Sequence, residues 1–193
     1  MRIVLASKSP RRRKMLNELG IDYEMWNGEV NESTEGDLSP FETVECIAEK
    51  KCLEAAKSID DPGALIIAAD TVVALGGEIL GKPSDDDDAR RMLRNMSGSF
   101  HEVYTGIAVS YGGRCIKSYE KTEIEFRDLN DREIERYIKT GEHKDKAGSY
   151  GIQEKGGYFV KSIHGDINNV VGLPVLLLRN VIFDNFKIDI FDM

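Results

Sequence analysis

The order of apolar and polar positions along the chain predicts helices that alternate with strands. A short apolar run at Ile3–Ala6 predicts a strand, and a helical pattern over Pro10–Leu19 follows it at once and ends at Gly20. A fully apolar stretch at Ala64–Ala69 predicts a buried central strand. The other predicted strands are Tyr23–Trp26, Val103–Tyr111, Cys115–Phe126 and Tyr158–Ile163. The other predicted helices extend from Pro40 to about Lys57, from Asn130 to Thr140 and from Pro174 to about Phe186, and one more begins at Ser84.

Local signals fix several of these boundaries. Ser39 and Glu42 have the spacing of a capping box, and Ser84 suits the N-cap of the next helix. The glycine pairs Gly76-Gly77 and Gly112-Gly113 predict hairpin turns. Helices mixed with both hairpins and crossovers indicate an α/β fold with a mixed sheet. The length of 193 residues suits a single domain over residues 1–193, arranged in two lobes.

Composition and charge narrow the class of function. The chain is 41% hydrophobic and 31% charged, with a formal net charge of −8. A general nucleic-acid binder would show a basic surface, so we expect no nucleic-acid partner. In an acidic protein, local clusters of basic residues are more informative than they would be in a basic one.

Cysteine usage and apolar runs predict a cytoplasmic protein. Cys46, Cys52 and Cys115 show no C-x-x-C spacing and indicate reduced thiols. Only four apolar residues precede the first charged segment, so we expect no signal peptide. The longest apolar run, Val170–Leu178, contains a glycine and a proline and is too short to span a bilayer, so we expect no membrane partner.

A cluster of cations lies at the start of the first predicted helix. Pro10 suits the first helical position and Ser9 the N-cap, and Arg11–Arg13 fill the first turn. Because a helix N-terminus is already partly positive, this placement opposes helix stability unless an anion binds there. Backbone N–H groups, the hydroxyls of Ser7 and Ser9 and the guanidinium groups together predict a phosphate site. The alternative is a solvated basic helix start.

Two more polar residues are candidates for the same site, one after a predicted strand and one in the loop after the Gly76-Gly77 hairpin. Asp70 comes directly after Ala64–Ala69, and the carboxyl end of a buried strand is where α/β proteins place active sites, although an aspartate there can also cap a turn. Lys82 lies in a Gly-Lys-Pro loop, where its ammonium suits a phosphate. The acidic run Asp85–Asp88 favours the first turn of a helix, and we do not interpret it as a metal site.

A glycine-rich loop over residues 145–153 ends in Gln153. Its small residues let the backbone approach a ligand closely. The carboxamide of Gln153 offers donors and an acceptor, which match the N3–H and O4 edge of uracil or thymine. The alternative is a plain glycine-rich connection. His101, His143 and His164 show no metal-ligand spacing and no nucleophile partner, so we expect none of them to be catalytic.

Together these segments resemble the Maf family, once named for septum formation, whose members are nucleoside triphosphate pyrophosphatases. The resemblance extends along nearly the whole chain, with several separate motifs in the same order. It implies a mixed twisted sheet with flanking helices and two lobes around a central cleft, as in inosine triphosphatase-like proteins. The motifs are Ser7-Lys8-Ser9-Pro10-Arg11-Arg12, Ala69-Asp70-Thr71, Gly81-Lys82-Pro83, Thr105-Gly106, the loop from Asp145 to Gln153 and Val171-Gly172-Leu173-Pro174.

Three positions resemble one branch of that family. In this branch arginine follows the proline, threonine follows the aspartate and glutamine ends a Gly-Ile-Gln triplet, and its members act on dTTP and UTP. A sister branch carries tryptophan, glutamine and glutamate there and prefers 7-methyl-GTP. Arg11, Thr71 and Gln153 therefore imply dTTP and UTP, or modified pyrimidine nucleotides, as the substrates, with these side chains reading the pyrimidine edge.

The resemblance also implies the residues of the reaction centre. It implies Glu32 and Asp70 at a divalent Mg²⁺ or Mn²⁺ ion, with Asp70 as base, metal ligand or both. It implies Arg12, Lys51 and Lys82 around the triphosphate, with both lysines and Asp70 as catalytic residues. The usual Glu-Lys-Ala is here Lys50-Lys51-Cys52, so Lys51 is the expected phosphate lysine and Lys50 the alternative. The family likeness also suggests a homodimer.

Two other functions stay open from the sequence. One is the same reaction on another nucleotide such as CTP. The other is a nucleotide-binding regulator of cell division that does not turn its ligand over. The full set of charged residues favours the enzyme, because binding alone needs no carboxylate opposite the phosphates.

Overall fold

The computed structural model describes residues 1–190, which form one mixed sheet with helices on both faces. The strands are β1 (Ile3–Ala6), β2 (Glu24–Met25), β3 (Leu65–Leu75), β4 (Glu78–Leu80), β5 (Phe100–Tyr111), β6 (Arg114–Phe126) and β7 (Val160–His164). The helices are α1 (Pro10–Glu18), α2 (Pro40–Ile59), α3 (Asp86–Met96), α4 (Asp131–Ile138), α5 (Ile167–Val171) and α6 (Val175–Phe186). The predicted α/β fold with a mixed sheet is confirmed. The end of the predicted domain, residues 191–193, lies outside the described residues.

The sheet has the strand order β2-β1-β3-β5-β6-β7, with β4 paired to β3. β1 pairs in parallel with β2 on one side and with β3 on the other, whereas β3, β5, β6 and β7 pair antiparallel. The chain therefore leaves β1 toward one side through α1 and later returns to its other side through α2. In open α/β sheets, such a switch point at the carboxyl end of a strand opens a crevice for ligands.

The first lobe has apolar layers on both faces of this part of the sheet. On one face, the small side chains of Ala48, Cys52 and Ala55 let α2 approach the strands closely. On the other face, α1 and α6 contribute Leu16 and Leu178 to a larger cluster of buried aliphatic side chains. Burial of these residues holds β1 between α2 on one face of the sheet and α1 and α6 on the other.

The second lobe lies over the far ends of the long antiparallel strands. Leu93 of α3 and Ile134 of α4 pack on Val103 and Phe126 of the sheet, and Phe159 closes the cluster. The two lobes share β3 and β5, and a cleft separates their remaining parts. Over residues 1–190, no helix is both long and apolar enough to cross a bilayer.

Two sequence predictions about local structure are wrong. β3 does not end at Ala69 but continues to Leu75. β5 pairs with it as far as Ala74, and β4 pairs with its last three residues, which end at Leu75. Asp70 is therefore a mid-strand residue. The N-cap of α3 is Asp85 rather than Ser84, because the Asp85 carboxylate accepts the backbone N–H of the third helical residue.

Other local predictions are confirmed, with shifted ends. Ser9 caps α1 and Pro10 is its first residue, and the capping box of Ser39 and Glu42 opens α2. β2 is shorter than predicted, β5 begins earlier, and β7 begins only at Val160. The short helix α5 was not predicted.

Candidate active site

A cleft of about 960 Å³ opens at the carboxyl end of β1. Its walls come from the loop between β1 and α1, the middle of β3, one turn of α2, and two loops of the second lobe. β1 ends at Ala6, which pairs with Ala68 of β3, and β4 pairs with β3 only from Val73 onward, so the β3 residues between these pairs have no strand beside them on that side. The cleft brings together every site residue predicted from the sequence: Ser7, Ser9, Arg11, Arg12, Glu32, Lys51, Asp70, Thr71, Lys82 and Gln153.

A lysine and two carboxylates meet on one wall of this cleft. The Nζ atom of Lys51 lies 2.8 Å from Oδ1 of Asp70 and 3.0 Å from Oε1 of Glu32. The side chains of Lys51 and Asp70 are each only 14% exposed. Lys50 is directed elsewhere, since its ammonium donates to the backbone oxygen of Ser33 at 2.6 Å. Of the two candidate lysines, the structure therefore places Lys51 in the cleft.

The same carboxylates suit a divalent cation. Glu32 and Asp70 already converge on one positive charge, and hard carboxylate oxygens are the ligands that Mg²⁺ and Mn²⁺ favour. Within residues 1–190, no group of three or more His, Cys, Asp or Glu side chains is arranged to hold a metal ion. Mg²⁺ commonly binds through one or two carboxylates and fills its other positions with water and substrate phosphate. The donor set of this cleft fits that mode of binding.

Arg12 is a buried cation at the base of the cleft, with 8% of its surface exposed. Its Nε donates to the backbone oxygen of Gly172 at 2.6 Å, Nη1 to Ser7 Oγ at 3.1 Å and Nη2 to Thr71 Oγ1 at 2.9 Å. Burial lowers the pKa of the guanidinium, and the negative charge of Asp70 opposes this effect. These fixed contacts leave two N–H groups of Arg12 for a ligand.

The start of α1 has the geometry of an anion site. Ser9 Oγ accepts the backbone N–H of Arg12 at 3.5 Å, and Ser7 Oγ accepts the backbone N–H of Ser9 at 3.3 Å. The first turn of α1 contains no acidic residue to balance its positive end. A helix N-terminus of this kind attracts phosphate oxygens.

The predicted residues on the rim have exposed side chains. Arg11 and Lys82 are exposed at the first and second lobes, and Gln153 is exposed on the loop that closes the cleft. Glu142 anchors the chain just after this loop, because its carboxylate accepts the backbone N–H groups of Lys155 and Gly156 at 3.0 and 2.9 Å.

Three residues that contact the site, Thr105, Asn169 and Gly172, were assigned no individual role from the sequence. Thr105 Oγ1 lies 2.9 Å from Thr71 Oγ1 and donates to the backbone oxygen of Asn169 at 2.8 Å, while Gly172 accepts from Arg12. Thr105 and Gly172 belong to motifs that carry the family resemblance, and that was the available signal. Their contacts join β5 to α5, and α1 to the residue that follows α5, so no local pattern predicts them.

Comparison with known proteins extends over nearly the whole chain. The family described as "Maf-like protein" matches residues 2–184. A dTTP/UTP pyrophosphatase of Pelotomaculum thermopropionicum is 43% identical over 182 residues, which cover 93% of this chain and 94% of the relative. A dTTP/UTP pyrophosphatase of Bacillus pumilus is 46% identical over 173 residues and 90% of each chain. The protein of the same name from Pyrococcus furiosus is 45% identical over 181 residues and 94% of each chain.

Solved structures share the fold at low sequence identity. The Staphylococcus aureus Ham1 protein superposes with a TM-score of 0.56 and 17% identity, covering 95% of this chain and 99% of that one. A HAM1 protein from Coxiella burnetii gives a TM-score of 0.51 and 14% identity over the same shares. These similarities show that the chain shares its overall fold with both proteins.

Proposed function

The chain belongs to the Maf family, and from this premise we propose that it hydrolyses dTTP and UTP to the nucleoside monophosphate and pyrophosphate. Curated relatives named dTTP/UTP pyrophosphatase match it along nearly their whole length. The observation that carries the proposal is the convergence of opposite charges in one cleft. Lys51 lies between Glu32 and Asp70, and the same cleft contains the buried Arg12.

The triphosphate binds to the cations and to the start of α1. Arg12 offers its two remaining N–H groups, and Lys82 reaches in from the second lobe. Ser7, Ser9 and the helix N-terminus add neutral donors. Charge on the phosphates is neutralised in a partly buried site, where each electrostatic interaction is stronger than in open water.

Asp70 takes the proton of the attacking water. The water oxygen forms a bond to the α-phosphorus, the bond from that phosphorus to the bridging oxygen breaks, and pyrophosphate leaves. Lys51 contacts Oδ1 of Asp70, so Oδ2 of the same carboxylate can accept the proton. Lys51 thereby orients the base and adds positive charge near the phosphates.

Glu32 and Asp70 are the residues that would hold a divalent cation. When bound, Mg²⁺ or Mn²⁺ would supply charge for the phosphates and a more acidic water. Lys51 fills the space between these carboxylates in the structure, so we expect the ammonium and the cation to compete for them.

Arg11, Thr71 and Gln153 read the pyrimidine edge. The exposed carboxamide of Gln153 can pair with an adjacent donor and acceptor such as N3–H and O4. A site that hydrogen-bonds specific base atoms rejects bases that leave its polar groups unpaired. The homodimer and the cytoplasmic location stay predictions from the sequence.

Pyrophosphate release from a panel of nucleoside triphosphates tests this function, with Mg²⁺, with Mn²⁺ and with EDTA. We expect turnover of dTTP and UTP well above that of CTP and the purines, and loss of turnover in EDTA. Fastest turnover of CTP would support the alternative substrate. Nucleotide binding without any turnover would contradict the enzyme and support the regulator.

Replacement of the proposed base gives a sharper test. Asp70→Asn removes the proton acceptor but keeps the size of the side chain, so we expect kcat to fall by about 10²–10⁴-fold. Asp184→Asn, at an exposed position of α6, is the matched control and should keep wild-type kcat. Nucleotide binding is measured by calorimetry in parallel, and an Asp70→Asn variant with unchanged kcat would exclude Asp70 as the base.

A further inference from the structure

Five residues close a ring of hydrogen bonds beneath the cleft, which we call the Arg12 ring. Arg12 Nη2 donates to Thr71 Oγ1 at 2.9 Å, and Thr71 Oγ1 lies 2.9 Å from Thr105 Oγ1. Thr105 donates to the backbone oxygen of Asn169 at 2.8 Å, and this oxygen also accepts the N–H of Gly172 at 3.0 Å. The backbone oxygen of Gly172 accepts Arg12 Nε at 2.6 Å, which closes the ring.

The ring fixes the direction of each proton. A backbone oxygen can only accept, so the hydroxyl proton of Thr105 points to Asn169. Thr105 must then accept in its contact with Thr71, and the hydroxyl proton of Thr71 points to Thr105. Thr71 also accepts from Arg12, which has no acceptor of its own. Thr71 therefore has one lone pair and no proton for a ligand.

The far side of the ring is held rigidly. Thr105 and Asn169 are both 0% exposed. The carboxamide nitrogen of Asn169 donates to the backbone oxygen of Val103 and to Thr122 Oγ1, each at 2.9 Å. Gly172 has φ of 115°, and a Cβ atom there would lie 3.3 Å from Thr71 Oγ1. Water does not reach these groups to reorient them.

Ser7 contacts Arg12 from the other side, and unlike Thr71 it can only donate a hydrogen bond to a ligand. Its Oγ accepts from Arg12 Nη1 at 3.1 Å and from the backbone N–H of Ser9 at 3.3 Å. Both lone pairs are used, so the Ser7 hydroxyl can offer only a proton. Phosphate oxygens only accept, so Ser7 suits a phosphate and Thr71 does not.

We infer that Thr105 is a positioning residue that makes Thr71 an obligate acceptor, and that this arrangement selects UTP and dTTP over CTP. The inference rests on the proposed function. Thr71 lines the cleft and can accept the N3–H of uracil or thymine. Cytosine has a lone pair at N3, which would face the lone pair of Thr71. A threonine with a free hydroxyl could donate to cytosine instead, so the selection depends on Thr105.

The test compares kcat/KM for UTP and for CTP in variants at position 105. Thr105→Val keeps the shape but cannot accept, so the Thr71 hydroxyl can turn toward the cleft and donate. We expect the UTP-to-CTP preference to fall about tenfold, the effect of one hydrogen bond. Thr105→Ser keeps the hydroxyl and should keep the preference within about threefold of wild type.

Two further variants serve as a substitute for Thr105→Val and as a control. Thr105→Ala removes the same acceptor with a smaller side chain and replaces Thr105→Val if that variant does not fold. Thr43→Val makes the same chemical change at a buried threonine of α2 outside the Arg12 ring and should leave the preference unchanged. Thermal melts establish that each variant is folded.

The outcomes separate this inference from the function on which it rests. Wild-type protein that releases no pyrophosphate from any pyrimidine nucleotide would contradict both. An active wild type whose UTP-to-CTP preference is the same in Thr105→Val and Thr105→Ala would overturn the inference alone. Equal losses of kcat/KM for both nucleotides would show that Thr105 is only structural.

Discussion

Arg12 gives the cleft a permanent positive charge at a place with little water. Its burial lowers the pKa of the guanidinium below its ordinary value, but Asp70 and Glu32 lie close enough to oppose that effect. Three protein acceptors fix the orientation of the guanidinium before any ligand arrives. A cation held in this way needs no rearrangement to meet a phosphate, which is the condition for strong electrostatic stabilisation.

His101 is a second buried titratable side chain, and it makes stability depend on pH. Burial lowers its pKa from 6.5 to about 4, and Nε2 contacts the hydroxyl of Tyr150 at 2.8 Å. In the unfolded chain His101 takes up a proton near pH 6.5, whereas in the folded protein it does so only near pH 4. The contribution of the neutral ring to the free energy of unfolding is therefore fully present above pH 6.5 and is lost as the pH falls toward 4. We expect a loss of about 3 kcal/mol as the pH falls through this window.

Urea unfolding of the wild type and of His101→Gln between pH 7.5 and pH 4 measures this effect. The difference between the two free energies of unfolding should shrink or reverse as the pH falls, because only the wild type carries the titrating ring. His164→Gln, at an exposed position, is the control and should follow the wild type. Parallel curves for the wild type and His101→Gln would contradict the assigned pKa.

At the scale of elements, local chemistry predicted where helices begin and hairpins turn. Ser9 with Pro10, and Ser39 with Glu42, cap helices wherever they occur, so α1 and α2 were predictable without knowledge of their neighbours. The glycines at 112 and 113 have φ of 59° and 76°, which a hairpin turn of this kind requires. These features depend on residues close together in sequence.

Features that depend on pairing between distant segments were not predictable. The end of the apolar run at Ala69 suggested the end of a strand, but β5 and β4 continue the ladder to Leu75. Asp70 still borders an open edge, because β1 rather than β3 is the strand that stops there. The site residues predicted from the sequence line the cleft, whereas the ring through Thr105 needs the packing of β5 on α5.

A close approach between α2 and β5 requires a glycine at position 106. A Cβ atom at Gly106 would lie 2.3 Å from the backbone oxygen of Val44 and 2.7 Å from the backbone nitrogen of Glu45. Because helix backbone cannot give way as a side chain can, we expect Gly106→Ala to destabilise the protein by more than about 2 kcal/mol. Gly81→Ala adds the same methyl where nothing lies within 4 Å and is the control.

Urea unfolding of both glycine variants checks this prediction. The urea concentration at the unfolding midpoint should be clearly lower for Gly106→Ala than for Gly81→Ala. The midpoint of Gly81→Ala should stay near that of the wild type. Because Gly106 follows Thr105 directly, the shift of α2 should also lower the affinity for dTTP. Equal midpoints for the two variants would mean that α2 can move away from β5 without loss of packing.

In the whole molecule, a chain with negative net charge places the basic side chains proposed to bind phosphate in one cleft. The formal net charge is −8, yet Arg11, Arg12, Lys51 and Lys82 all line the cleft. A small trianionic or tetraanionic ligand meets these groups at short range, whereas a nucleic acid would meet the negative surface as well. Since each lobe supplies part of the lining, closure of the lobes would enclose the ligand.

The proposed reaction requires that water attacks the α-phosphorus of dTTP and that pyrophosphate leaves intact. Hydrolysis of dTTP in water enriched in ¹⁸O, followed by mass spectrometry of both products, identifies the phosphorus that is attacked. We expect one heavy oxygen in dTMP and none in pyrophosphate. Heavy oxygen in pyrophosphate, or release of inorganic phosphate with dTDP, would place the attack at another phosphorus and exclude the proposed reaction.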